Sequence, residues 1–436
     1  MIHIYSSEIT SRLEYIFRLV FETILGDKTL FYNDVSLFNE QDEVRINYSG
    51  NTHAEGLQLH PHRLLFESNL QKQDIEISDW ETLKIFFHTE NSFLPFDLFA
   101  ASFYLVTRYE EYLPGKRDRH GRFLSRSSLA NQNRFVEKPL VNMWAWKMAS
   151  EIEKSVPGIT FRRTAFKYIP TIDIDNAWAF KHKGFFRGIA ASLKDLAAGH
   201  PGRVKQRLMV LFRLRKDPFD TYDFIKDILT NAGFRPEFFI LVNKKGKHDR
   251  SLSYKNRAFQ KLILSLSEWG RVGIHPSYSS DKDVRQLTKE IDRLKSILGT
   301  HVKTSRQHFL KISLPKTYRR LIENSIGTDY SLGYASRPGF RASICTPFYF
   351  FDLIENKETS LLLVPFEVMD VTFTEYRNMT AYETTQKIKT LMRETAEVGG
   401  TFVSLWHNES LCDEGIWKGW RKVYTEMTNL AVDLSK

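Results

Sequence analysis

The sequence predicts an α/β chain: a parallel sheet or (β/α) barrel over residues 166–436, preceded by a smaller α+β domain over residues 1–165. Three observations predict it. From Phe166 onward, short apolar strands alternate with amphipathic helices through short connections. Carboxylates and imidazoles recur where those strands end, and a (β/α) barrel gathers strand ends at one mouth. Before Phe166 the pattern is mixed, and residues of metal-binding type do not cluster there.

Composition sets the outer bounds. A chain of 436 residues suffices for two or three domains, and 42% hydrophobic with 26% charged residues excludes a disordered one. The net charge of +10 and the pI near 9.3 admit anionic partners. No nucleic-acid module is recognised, so nucleic acid is not expected. Two cysteines, Cys345 and Cys412, exclude a disulfide framework and a thiolate zinc site. The start, Met1-Ile-His-Ile-Tyr5, lacks the basic and apolar regions of a signal peptide, and no run approaches the roughly 20 apolar residues of a membrane span. The expected location is therefore cytoplasmic.

In the first part, residues 8–25 have apolar side chains at helical spacing, with Gly26 as a stop. Val44–Tyr48 reads as a strand and residues 96–112 as one helix. Arg108, Glu110 and Glu111 read as ion pairs on its face, with a polar site as the alternative. The loop Pro114–Arg122 is basic and turn-rich.

The second part begins with the strand Tyr168-Ile-Pro-Thr-Ile-Asp-Ile-Asp175. Its two terminal carboxylates, Asp173 and Asp175, share a face because side chains alternate along a strand. Two like charges ending a buried strand need a cation or a shared proton, unless both are solvated or one caps the next turn. A basic insertion, 181–217, follows. It either lies on an anionic membrane surface or packs as a helical hairpin with solvated lysines. Helices are then expected over 221–232, 254–269, 281–298, 315–324, 380–398 and 417–434. Strands are expected over 236–242, 271–275, within 301–310, and over 328–331, 361–370 and 401–406.

Four strand ends thus deliver Asp173 and Asp175, His275, Arg306 and His308, and His407. Each histidine alone is more often structural, but a barrel would bring all four ends together. One carboxylate with two neutral imidazoles and open positions for water is a catalytic site for a divalent metal. Such a metal lowers the pKa of its water from 15.7 to about 7. A second carboxylate can then take the water's proton, and another imidazole can protonate a leaving group.

In order and type these motifs resemble the polysaccharide deacetylases of carbohydrate esterase family four, which share the NodB homology domain. The family's Thr-Phe-Asp-Asp is matched by Thr171-Ile-Asp-Ile-Asp175, and its His-Ser/Thr-x-x-His by His275-Pro-Ser-Tyr-Ser279. Its Arg-x-Pro-Tyr is matched by Arg306-Gln-His-Phe309, its Asp-bearing motif by Glu367-Val-Met-Asp370, and its Leu-x-His by Leu405-Trp-His407. The resemblance covers roughly residues 166–420 and implies a distorted (β/α) barrel of NodB type. Residues 1–165 resemble the uncharacterised domain that precedes such deacetylases in some bacterial proteins.

The resemblance implies that Asp173 is the general base, Asp175 and His275 are metal ligands, and His407 is the general acid oriented by Asp370. The metal is expected to be zinc, with cobalt or nickel as alternatives. Two positions depart from the pattern. Ser279 stands where the family has its second metal histidine, and Ile174 separates the two aspartates. His308 is preferred over Ser279 as the third ligand. Arg306 is expected beside Asp173 on the substrate side. Arg341 either binds substrate oxygens or is structural, and Trp406 either stacks on a sugar or packs in the wall. The expected function is metal-dependent removal of an acetyl group, N-acetyl before O-acetyl, from a glycan or lipid-linked saccharide. The rival is a non-catalytic glycan-binding protein that has lost its metal site, with Ser279 as its support.

Overall fold

The computed structural model describes the whole chain except residues 244, 245, 247, 250, 281 and 282. It is an α/β structure built on two main sheets, and the first part, expected to be α+β, has a sheet that is parallel throughout. The first holds β1 (Ile2–Tyr5), β2 (Thr29–Tyr32), β3 (Val44–Tyr48) and β4 (Leu57–Leu59) in the order β2-β1-β3-β4, all parallel. A small hairpin of β5 (Ser78–Trp80) and β6 (Leu83–Ile85) stands beside it.

The second sheet has nine strands: β7 (Lys167–Ile174), β8 (Glu237–Ile240), β9 (Arg271–Ile274), β10 (Thr304–Ser305), β11 (Thr328–Asp329), β12 (Phe348–Asp352), β13 (Lys357–Leu363), β14 (Val368–Met369) and β15 (Thr401–His407). Their order is β12-β13-β11-β10-β9-β8-β7-β15-β14, parallel throughout except for the antiparallel β12–β13 pair. The long β7 lies third from the β14 edge, between β8 and β15, and its pairing with β15 sets Asp173 beside His407. Gly273 is required between β9 and β10, because a Cβ there would collide with Thr304.

The sheet does not close into a barrel among the described residues: β12 and β14 are its two edges. Single backbone bonds, Phe366 N–H to Leu332 O (3.2 Å) and Gly339 N–H to Glu367 O (2.8 Å), join the connection between β13 and β14 to the segment after β11 without a ladder. The reason lies in Pro365, which has no N–H to donate and splits the expected strand 361–370 into β13 and β14.

Caps set several helix starts inside the expected ranges. Asn256 accepts from the N–H groups of Ala258 and Phe259, so that helix begins at Arg257. Thr380 and Glu383 form a reciprocal capping box before Ala381–Glu397. The expected helix 96–112 is broken: Leu98–Val106, capped by Asp97, ends before Arg108, which takes a left-handed φ of 55°. That turn aims the Arg108 guanidinium at Glu111 (2.8 Å), Glu110 (2.6 Å) and the Tyr334 hydroxyl (3.0 Å). Glu111 in turn takes both nitrogens of the buried Arg341 fork, at 2.9 and 2.6 Å. Burial alone would raise the Glu111 carboxyl, but Arg341 and Arg108 override it and hold the group down at about 2. This network, not a catalytic site, is what those charges form, and it ties the first part of the chain to the second.

Candidate active site

The cavity at the C-terminal ends of β7, β9, β10 and β15 is about 240 Å³ and is lined by Asp173, Asp175, His275, His308 and His407. Strand alternation turns Asp173 inward, and Asp175 follows just beyond the strand end on the same side. Ligand atoms of Asp175, His275 and His308 all lie within 4.8 Å of one another. His275 Nε2 is 3.2 Å from Asp175 Oδ1, and His308 Nε2 is 3.3 Å from Asp175 Oδ2.

The second ring nitrogens fix the tautomers. His275 Nδ1 lies 2.5 Å from the Arg306 carbonyl oxygen, which can only accept, so Nδ1 carries the proton and Nε2 faces Asp175 with its lone pair. His308 Nδ1 lies 2.9 Å from Asp249 Oδ1, with the same consequence for the neutral ring. Two imidazole lone pairs turned on a carboxylate repel it unless a cation lies between them. Asp173 Oδ1 and Asp175 Oδ1 are buried with no hydrogen-bond partner among the described residues. This donor set, two nitrogens and a carboxylate oxygen, fits a divalent cation of the zinc type.

Protonation tells the same story. Burial would lower the His308 imidazole, but Asp175 and Asp249 push it up to about 9. Burial would raise the Asp175 carboxyl, but His308 and His275 hold it well below the usual range. A proton on His308 supplies the positive charge the cluster demands.

His407 stands on the other side of Asp175, its Nε2 4.0 Å from Asp175 Oδ2. Asp370 fixes it twice, by Oδ1 to Nδ1 at 2.9 Å and by Oδ2 to its backbone N–H at 2.7 Å. Burial would lower this imidazole, yet Asp370, Asp175 and Asp173 hold it well above 6.5. Its Nε2 faces the cavity beside Asp175.

Three other residues expected on the substrate side are placed elsewhere. Trp406 is 1% exposed and packs on Trp420 and Tyr424, because adjacent residues on β15 face opposite ways and His407 takes the cavity side. Arg306 is fully buried below Asp173, 3.9 Å from it, between the rings of Phe239 and Phe366, and donates to Thr171 Oγ1. It does not line the cavity among the described residues. Arg341 borders a neighbouring cavity of about 190 Å³, but its donors are taken by Glu111 and the Gly333 carbonyl. Ser279 is exposed and lies 3.1 Å from the Ser277 hydroxyl, outside the cluster of metal-ligand types.

Sequence reading missed three residues at this site. Asp249, on the loop after β8, holds His308 and also accepts from the Tyr278 N–H at 2.9 Å. Glu409, two residues after His407, lines the cavity, and burial raises its carboxyl. Arg122, from the basic loop of the first part, reaches the mouth and donates to the Phe309 carbonyl at 2.9 Å. Strand-end polarity could have flagged Asp249 and Glu409; nothing local flags Arg122. Asp249→Ala is expected to weaken metal binding about 10- to 100-fold, as loss of an outer-shell partner does. Competition with a chelator measures it, and unchanged affinity would exclude Asp249 as a support of His308.

Residues 2–157 match a family of unknown function (DUF7033). No curated protein matches the chain. Solved structures similar to it include polysaccharide deacetylases. One from Mycobacterium smegmatis, so assigned provisionally, is 14% identical and has a TM-score of 0.39 over 61% of this chain and 85% of its own. A polysaccharide deacetylase from Bacillus cereus is 10% identical, with a TM-score of 0.29 over 62% and 86%. A pseudoenzyme of carbohydrate esterase family four from Bacillus anthracis is 11% identical, with a TM-score of 0.30 over 64% and 66%.

Proposed function

We propose that the chain is a metal-dependent hydrolase that removes an acetyl group, N-acetyl by preference, from a glycan or saccharide, with residues 166–436 as a NodB-type catalytic domain and residues 1–165 as a separate unit. One observation carries the reading: an Asp-His-His cluster within 4.8 Å shares a cavity with a further carboxylate, Asp173, and with an imidazole, His407, that Asp370 holds. Asp175, His275 and His308 would hold the ion, zinc before cobalt or nickel. Bound there, it supplies a water of lowered pKa and polarises the acetyl carbonyl.

The rest is the work of the side chains. Asp173, which lines the cavity with its Oδ2 on the His275 side, accepts the proton of the attacking water. His407, charged through Asp370, gives its Nε2 proton to the departing amine. Leu310, Met369 and Leu405 give the acetyl methyl an apolar wall. Arg306 places a positive charge beneath Asp173, 3.9 Å from it.

Acetate release from acetylated glucosamine oligomers, with the protein stripped and then reloaded with zinc, cobalt or nickel, tests the reading. Metal-restored acetate release supports it; no metal uptake and no acetate release after reloading favour the glycan-binding rival.

Metal uptake should also depend on pH with a defined sign. His308 holds a proton below about 9 and must release it to become a ligand, so uptake ejects a proton at pH 7. Apparent affinity is expected to rise up to tenfold per pH unit toward about 9 and to level off above it. Titration calorimetry in buffers of different ionisation enthalpy counts the protons; zero released at pH 7 would contradict the assignment of His308.

A further inference from the structure

The chain's net charge of +10 is concentrated in one place. Residues 181–216 hold ten Lys and Arg against a single acid, Asp195, a net +9, which leaves the remainder of the chain close to neutral. This stretch forms two helices, Phe185–Ala197 and Pro201–Leu211, joined through Gly199 at φ 74°. Asp195 is spent internally, paired with Arg207 at 2.5 Å.

The same hairpin carries the largest concentration of uncovered apolar surface. Nine of the eighteen large apolar side chains left exposed among the described residues fall between 185 and 214. Phe185 (76% exposed), Phe186 (85%), Phe212 (73%) and Leu214 (75%) are the most open of them. On the first helix Phe186, Ile189, Leu193 and Leu196 recur at helical spacing and form a stripe. A groove of about 600 Å³, apolar along most of its length, runs between the two helices. A soluble surface rarely leaves such a patch open, and here it is rimmed by Lys183, Arg187, Lys194, Arg213 and Arg215.

We propose that the 185–214 hairpin docks on an anionic lipid bilayer, seating its phenylalanines and leucines at the headgroup–acyl boundary while its lysines and arginines meet lipid phosphates. Charge decides between occupants. A second copy of the chain would set one basic hairpin against another, whereas an anionic bilayer offers the opposite sign. Nucleic acid would satisfy the charge but leave the aliphatic stripe in water. Helices of 13 and 11 residues are too short to span a bilayer, and no helix among the described residues is long and apolar enough to cross one. The hairpin therefore lies in the interface.

The fold holds this surface next to the cavity. The hairpin leaves the C-terminal end of β7 just after Asp173 and Asp175, and Arg215 and Gln206 bind Glu414, on the segment that follows His407. The docking itself is independent of the hydrolase reading.

Cosedimentation of the full chain with vesicles tests it, using phosphatidylcholine alone or mixed with about a third of phosphatidylglycerol. Binding is expected on the mixed vesicles and much weaker on the neutral ones. Phe185→Ser with Phe186→Ser should lower it at least about tenfold, since each ring loses its burial. Each of Lys194→Ala and Arg213→Ala should lower it about fivefold. These side chains are exposed, so circular dichroism should show the fold intact. No sedimentation with anionic vesicles at low salt would overturn the proposal. Binding insensitive to the phenylalanine substitutions would also overturn it. So would a concentration-dependent dimer, or retention of an oligonucleotide, that the phenylalanine substitutions abolish.

Discussion

Asp175→Asn is expected to empty the metal site and abolish turnover together. The substitution keeps the side chain's shape and removes the one anionic group that both His275 and His308 face, at 3.2 and 3.3 Å. Loss of outer-shell partners costs 10- to 100-fold in affinity, so loss of the charged ligand itself should cost more than about 100-fold. A second signal separates this from misfolding. Asp175 is the strongest influence holding His308 up at about 9, so the His308 imidazole in the metal-free variant should titrate at lower pH. Metal analysis and the nuclear magnetic resonance titration of His308 check both. A variant that keeps one equivalent of metal would remove Asp175 from the ligand set.

Asp173→Asn is expected to behave in the opposite way: metal retained, turnover reduced about 10²- to 10⁴-fold, the usual contribution of a positioned general base. Asp173 lines the same cavity, but its nearer oxygen is 3.7 Å from His275 Nε2, against 3.2 Å for Asp175. The amide that replaces the carboxylate cannot take a proton at neutral pH. Acetate release measured beside metal content distinguishes the two aspartates, and undiminished turnover in Asp173→Asn would exclude it as the base.

How much of this was legible in the sequence follows from the range of each interaction. Apolar strands that end in carboxylate or imidazole are local patterns, so Asp173, Asp175, His275, His308 and His407 could all be singled out before their convergence in one cavity was seen. Local rules also decide two further places. Pro365 forbids one continuous strand over 361–370, and alternation on β15 forbids Trp406 and His407 from facing the same way. The remainder depends on pairings across the chain. Arg341 meets Glu111 from 230 residues away, and Arg122 meets Phe309 from 187 residues away. No spacing rule encodes such contacts, so a structural arginine and a mouth-lining one look alike in sequence. The basic insertion lies between these cases: its charge and amphipathic spacing were readable, but its open phenylalanine face required the fold.

The central claim is that His308, and not Ser279, completes a metal site with Asp175 and His275. Anomalous scattering from crystals of the zinc-loaded protein, recorded on both sides of the zinc absorption edge, tests it most directly. A single peak is expected in contact with Asp175, His275 and His308, with Ser279 turned away toward solvent. A peak coordinated by Ser279, or no peak in that cavity at full zinc loading, would contradict it.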